Sequence, residues 1–198
     1  MKTKTVRIST GVGAAALLLV GASAGISFAD DKPIPAAPAS AAAQAERFLG
    51  GPTTVPPALV PPAGNTLTSV FKAKGVQIYG CTDAKWALIE PAASLAGLSL
   101  SPIKLVTALH FRGPSWESDE DGTLVEGMSP VSAPSTTPNS IPQLLVTAKT
   151  TRGTGVFGGV TFIQRLSTVG GVAPTTACAA GDTAAVPYKA VYRFFKKG

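Results

Sequence analysis

The sequence predicts an all-β domain, a sandwich or closed barrel of about eight short strands, behind a signal peptide and a proline-rich arm. Three observations carry that prediction. Beyond residue 66 the chain is a series of short aliphatic, aromatic and β-branched runs cut by glycine, proline and polar turns. The runs recur at regular spacing, the habit of sandwiches and barrels. In the last run Tyr188, Ala190, Tyr192 and Phe194 share one face and Lys189, Val191, Arg193 and Phe195 the other, as in a sheet with one face on a core.

Taken in order, residues 1–29 read as a secretory signal. Lys2, Lys4 and Arg7 precede an apolar run over 11–26, and Ser27-Phe28-Ala29 sets small residues where a signal peptidase cleaves. The run is too short and too diluted by glycine, serine and alanine for the ~20 apolar residues of a spanning helix. The expected mature chain therefore begins at Asp30, is exported and has no membrane span. Residues 30–66 form the arm, where Pro33, Pro35, Pro38, Pro52, Pro56, Pro57, Pro61 and Pro62 withhold backbone donors and forbid a central strand. A short helix over 40–49, capped by Ser40 and stopped by Gly50-Gly51, interrupts it. The β domain then spans 67–198, with strands expected at 67–71, 75–81, 86–89, 104–111, 123–126, 144–149, 156–166 and 188–195. Pro91-Ala-Ala-Ser-Leu95 reads as a helical turn at most.

Composition excludes several functions. Three of the 17 basic residues leave with the signal, so 14 remain against 11 acids and the net charge falls to +3. That is no electrostatic footprint for nucleic acid, and Lys196-Lys197 reads as a solvated terminus. Cys81 and Cys178 are the two cysteines, and in an oxidising compartment they predict a disulfide closing a loop of 97 residues. A reactive thiol or a metal pair is the alternative, unsupported by any CxxC spacing or second histidine.

The chemistry-bearing letters concentrate in residues 105–126, which hold the one histidine, Trp116 and a run of acids. His110, on a strand where it alternates with Leu109 and Phe111, can be drawn as a general base or metal ligand with Glu117 or Asp119 as its partner. Ser115 nearby completes a Ser-His-acid set in letters only, since no nucleophile elbow or HExxH helix accompanies it. Glu117, Asp119 and Asp121 occupy the first, third and fifth places of an EF-hand-like loop with Gly122 at the sixth, but Met128 stands where the closing acid belongs. Calcium is thus a subsidiary expectation, no other cofactor is expected, and Asp121-Gly122 reads first as a tight turn. Gly11-Val-Gly13-Ala-Ala-Ala16 lies in the signal peptide, and Gly153-Thr-Gly155-Val-Phe-Gly158 leads into a strand-like run instead of a phosphate-binding helix. Trp86 and Trp116 read as core residues.

Several ordered motifs carry a resemblance. They are Gly75-Val-Gln-Ile-Tyr-Gly-Cys-Thr82, Trp86-Ala-Leu88, Glu90-Pro-Ala-Ala93, His110-Phe-Arg-Gly-Pro-Ser-Trp-Glu117 and Asp121-Gly-Thr123, continued by Ile141-Pro-Gln-Leu-Leu145 and Val160-Thr-Phe-Ile-Gln-Arg165. Thr168-Val-Gly-Gly-Val-Ala-Pro174, Cys178 and Val186-Pro-Tyr-Lys-Ala-Val-Tyr-Arg-Phe194 complete the set. Together, over about residues 70–195, the chain resembles the secreted domain-of-unknown-function family numbered thirty-four fifty-five. The family pattern carries tryptophan where this chain has Gln143, and Glu120 lengthens the acidic turn. The resemblance implies no activity, cofactor or catalytic residue.

Function at this stage is a choice between classes. The first is a non-catalytic exported module binding a small molecule, glycan or cell-envelope component through His110, Trp116, Glu117 and Asp119. The second is a hydrolase or lyase using His110 with Glu117 or Asp119, and the third a structural envelope protein. Geometry separates them: an enzyme needs His110 within hydrogen-bonding reach of an acid in a concave pocket.

Overall fold

The computed structural model describes residues 54–198 and, ahead of them, residues 43, 44, 47 and 49. The expected signal peptide and most of the expected arm lie outside the described residues. After a short 3-10 turn at Pro57–Leu59 come eight strands: β1 (Asn65–Thr82), β2 (Lys85–Leu100), β3 (Ile103–Phe111), β4 (Ser115–Ser118), β5 (Leu124–Ala133), β6 (Gln143–Arg152), β7 (Val160–Gly170) and β8 (Thr183–Lys197). Each pairs antiparallel with the next, and β8 returns to β1 from Asn65↔Lys197 to Gly80↔Thr183, so the sheet closes into a barrel. The all-β expectation holds, and of its two forms the barrel is the one adopted.

Alternation decides what fills the barrel. On β8 the inward Tyr188, Ala190, Tyr192 and Phe194 meet Phe71 and Ala73 of β1, Leu95, Val106, Ala108, Trp116, Val125, Val146 and Ile163 in one core. An eight-stranded barrel is just wide enough for such side chains, or for one small ligand among them. At the end where β6 turns into β7, Phe157 folds inward from the loop. Its ring lies 4.5 Å from that of Phe194 and 5.7 Å from that of Phe71, and all three are fully buried. These rings form a floor. Outside the wall, Leu59 is buried against Leu145 and Leu166, while Leu49 is buried against Val70 and Val191. The last described part of the arm is therefore packed on the barrel, and Ala43, Gln44, Arg47 and Leu49 are helical as expected; the rest of the 40–49 helix lies outside the described residues.

Several boundaries differ from expectation. The runs at 67–71 and 75–81 are one strand, because Gly75 marks a close approach of β1 to the Ala92 and Ala93 backbone instead of a break. Pro91-Ala-Ala-Ser-Leu95 is mid-strand in β2 and not a helical turn. The ladder shifts there, Ile78 facing Glu90 and Tyr79 facing Leu88, so Ile89 is an extra residue beside the proline. A proline is tolerated in a sheet at such a bulge. Similarly β5 runs past Glu126 through a shift between Met128 and Val131 that holds Pro130. Strand β4 was not among the expected runs, and β7 starts at Val160, leaving Val156 and Phe157 in the loop.

The cysteines are joined, with Cα atoms 5.8 Å apart. The bridge ties the end of β1 to the loop between β7 and β8. That loop is also held where Trp86 Nε1 donates to the Thr176 carbonyl at 2.9 Å and Tyr79 Oη donates to the Gly171 carbonyl at 2.6 Å. Trp86 is consequently a half-buried rim residue, unlike Trp116, which is in the core.

Candidate functional site

Opposite the floor the barrel does not fill. A cavity of about 370 Å³ opens at the end where β1 turns into β2 and β3 into β4. Its apolar wall includes Leu88, Pro91, Pro114, Trp116, Leu144 and Val146, and its polar positions are Gln77, Glu90, His110, Arg112, Arg165 and Tyr192. The volume falls within the range of small-molecule sites.

Inward parity brings these groups together. His110 is in register with Trp116 across β3 and β4, and both side chains point into the barrel. The imidazole is 3 % exposed and stacks on the indole with centroids 4.4 Å apart and planes 2° from parallel; Tyr192 meets it edge-on at 5.2 Å. His110 Nδ1 lies 2.8 Å from the Ser115 carbonyl oxygen. A carbonyl only accepts, so Nδ1 carries the hydrogen and Nε2 is left as an acceptor. Burial drives the imidazole pKa down to about 3, the Ser115 bond opposing and the Arg165 charge reinforcing that shift. The ring is a neutral one at ordinary pH.

Gln77, on the inward parity of Phe71 and Ala73, is 2 % exposed, and its Nε2 has no hydrogen-bond partner. Trp116 Nε1 is likewise buried and unpartnered. Buried donors are nearly always satisfied, so two orphans on residues that line one cavity are unusual. Arg165, on the inward parity of Ile163, donates from Nε and Nη2 to the Pro142 carbonyl at 3.2 and 3.0 Å. Burial raises the Tyr192 phenol above its ordinary pKa, with Arg165 opposing, and burial likewise raises Tyr79. Both stay protonated.

The acidic residues expected beside His110 stand elsewhere. Glu117 pairs in register with Leu109, on the outer face, and meets Arg152 at 3.5 Å across the outside of the wall. Asp119 is exposed beyond the end of β4, where its backbone N–H donates to the Thr107 carbonyl. Of the four expected contact residues, then, His110 and Trp116 meet in the cavity, and Glu117 and Asp119 do not join them. Glu90 does line it, but is ion-paired to Arg112 at 3.2 Å.

Asp121 sits in the β4–β5 turn at the floor end. Its Oδ1 accepts from Thr123 N–H at 3.1 Å and Thr123 Oγ1 at 2.6 Å, and its Oδ2 from Val156 N–H at 2.9 Å. Partial burial alone raises this carboxyl, but the hydrogen bonds from Thr123, Val156 and Ser118 outweigh it and hold the pKa down to about 2. Gly122 beside it has φ +64°, so Asp121-Gly122 is a turn that clasps the β6–β7 loop. Among the described residues no three His, Cys, Asp or Glu side chains converge as a cation site, and Glu117, Asp119 and Asp121 are not gathered into one. The 153–158 glycine run is the β6–β7 turn.

Sequence reading passed over Gln77, Arg165 and Tyr192 as site residues. For Gln77 the signal was present, a glutamine on the parity of Phe71, Ala73 and Tyr79, whereas Arg165 shares its parity with Thr161 and Ser167 as well as Ile163, which reads as a solvent face. Gln143, the departure from the family pattern, is buried outside the lumen, donating to the Pro134 carbonyl and accepting from Ser167 N–H.

Comparison with curated proteins and with solved structures finds no match. A family model matches residues 62–196, which takes in all eight strands but for the last residue of β8. The chain therefore belongs to the family described as proteins of unknown function, DUF3455.

Proposed function

We propose that the protein is an exported, non-catalytic binding module that takes one small molecule into the open end of its barrel. The observation that carries this reading is the cavity itself, in which a few polar groups, Arg165 and Glu90 among them, are set among mainly apolar walls. A guest with an apolar body buries it against Leu88, Leu144, Val146 and the Trp116 ring. Catalysis by the expected His110–acid pair is not favoured, because Glu117 lies on the outer face with Arg152 and Asp119 is exposed beyond β4. Export accords with the disulfide.

The test uses two aromatic probes of a size suited to the cavity, 2-naphthamide and 2-naphthoate, titrated calorimetrically into the chain lacking residues 1–29. At least one is expected to saturate a single site with Kd of about 1 mM or below. Leu144→Trp, which fills the mouth from its half-buried position, is expected to weaken that binding about tenfold or more while cooperative melting persists. Saturation by neither probe, or binding indifferent to Leu144→Trp, overturns the reading.

A further inference from the structure

We infer that the guest of this cavity is an organic monoanion, a carboxylate on an aromatic or short aliphatic body, with its carboxylate on the Arg165 guanidinium. The inference rests on the lumen reading above and adds the chemistry of the ligand. Arg165 projects inward from β7 into the cavity. Two of its N–H groups hold the Pro142 carbonyl and a third meets the Tyr192 hydroxyl; a guanidinium has five, so two remain. Among the described residues the ion pairs are Arg112–Glu90, Lys149–Glu126 and Arg152–Glu117, and Arg165 is in none of them.

Charge accounting around the cavity follows directly. Glu90 offsets Arg112, His110 is neutral, and Arg165 is left as one uncompensated positive charge. Its influence extends to Tyr79, His110, Tyr188 and Tyr192, each of which titrates against it. A charge half withdrawn from water and facing apolar walls is costly unless an opposite charge meets it. A carboxylate fits the remaining N–H groups of that guanidinium. A single unmatched charge calls for a single negative one. The Trp116 ring and the side chains of Leu144 and Val146 then face the apolar body.

The two probes differ only in that carboxylate. At pH 7, 2-naphthoate is expected to bind the unaltered chain about tenfold or more tightly than 2-naphthamide. Arg165→Gln should bring the two within about twofold by lowering naphthoate affinity alone, and Arg165→Lys should keep part of the preference. Naphthamide binding as tightly as naphthoate overturns the anion inference and leaves the lumen reading standing; so does a preference that survives Arg165→Gln. Saturation by neither probe removes both. Should Arg165→Gln unfold through loss of the Pro142 contact, the acid-against-amide comparison in the unaltered chain decides.

Discussion

A histidine stacked on Trp116 and bonded to the Ser115 carbonyl must remain neutral where it lies, and stability follows from that. Its pKa is about 3 in the folded chain against the ordinary 6.5. Between those values the unfolded chain takes up a proton that the folded chain refuses. The contribution is thus fully present above pH 6.5 and is lost as pH falls toward 3, at up to ~1.4 kcal/mol per pH unit. His110→Phe removes the titration. It is expected to cost about 1–3 kcal/mol at pH 7, since Ser115 loses its donor, yet to decline less steeply than the unaltered chain in urea unfolding at pH 7, 6, 5 and 4. Parallel declines would show that His110 does not carry the acid sensitivity. At this scale the aromatic bulk of Trp116 pointed to the core, where it lies, and the strand over 104–111 gave His110 a face of its own opposite Leu109 and Phe111 without saying which face is inward. The sequence misled for Glu117 and Asp119, because closeness along a strand places neighbours on opposite faces. Gln77 went unread because rarity drew attention, whereas its information lay in parity; Arg165 shares a parity with Thr161 and Ser167 that reads as a solvent face, and only the pairing of β7 with β8 turns it inward.

Among the elements, β1 and β2 approach closely where neither can give way. A Cβ on Gly97 would fall on the Val70 carbonyl and the Phe71 Cα, both backbone. Gly97→Ala should therefore cost at least about 1–3 kcal/mol, as overpacking does, measured by denaturant unfolding with β1–β2 amide exchange accelerated. A neutral outcome would mean that the two strands can part without loss. Strand β3 was legible nearly to the residue as an aliphatic run bounded by Pro102 and Gly113, although its outward Leu105 and Leu109 are no less apolar than its inward Val106 and Ala108. Strand β2 was not, because Pro91 signals a break unless the bulge at Ile89 is already known, and a bulge depends on the partner's register. Four-residue β4 carries too little pattern to announce itself; its pairing with β3 and β5 creates it.

For the whole molecule, composition and turn spacing were enough for the β class, and two cysteines in a chain expected to be exported were enough for their pairing. Closure was beyond reach, since it rests on β1 meeting β8 more than a hundred residues later. The bridge spans 97 residues and restrains the unfolded chain accordingly. Cys81→Ser with Cys178→Ser is expected to lower stability by on the order of 4 kcal/mol, read as a reduced guanidinium midpoint with a steeper slope as the unfolded chain expands. A midpoint that does not move would place the restraint elsewhere, in the hydrogen bonds of Trp86 and Tyr79 to the same loop.

The ring trio of Phe71, Phe157 and Phe194 has a kinetic meaning for the proposed guest. A vessel sealed at its base is filled and emptied through one neck, so an occupant bars the way to its successor. Exchange of one carboxylate for another then proceeds at the pace of departure alone, however concentrated the newcomer.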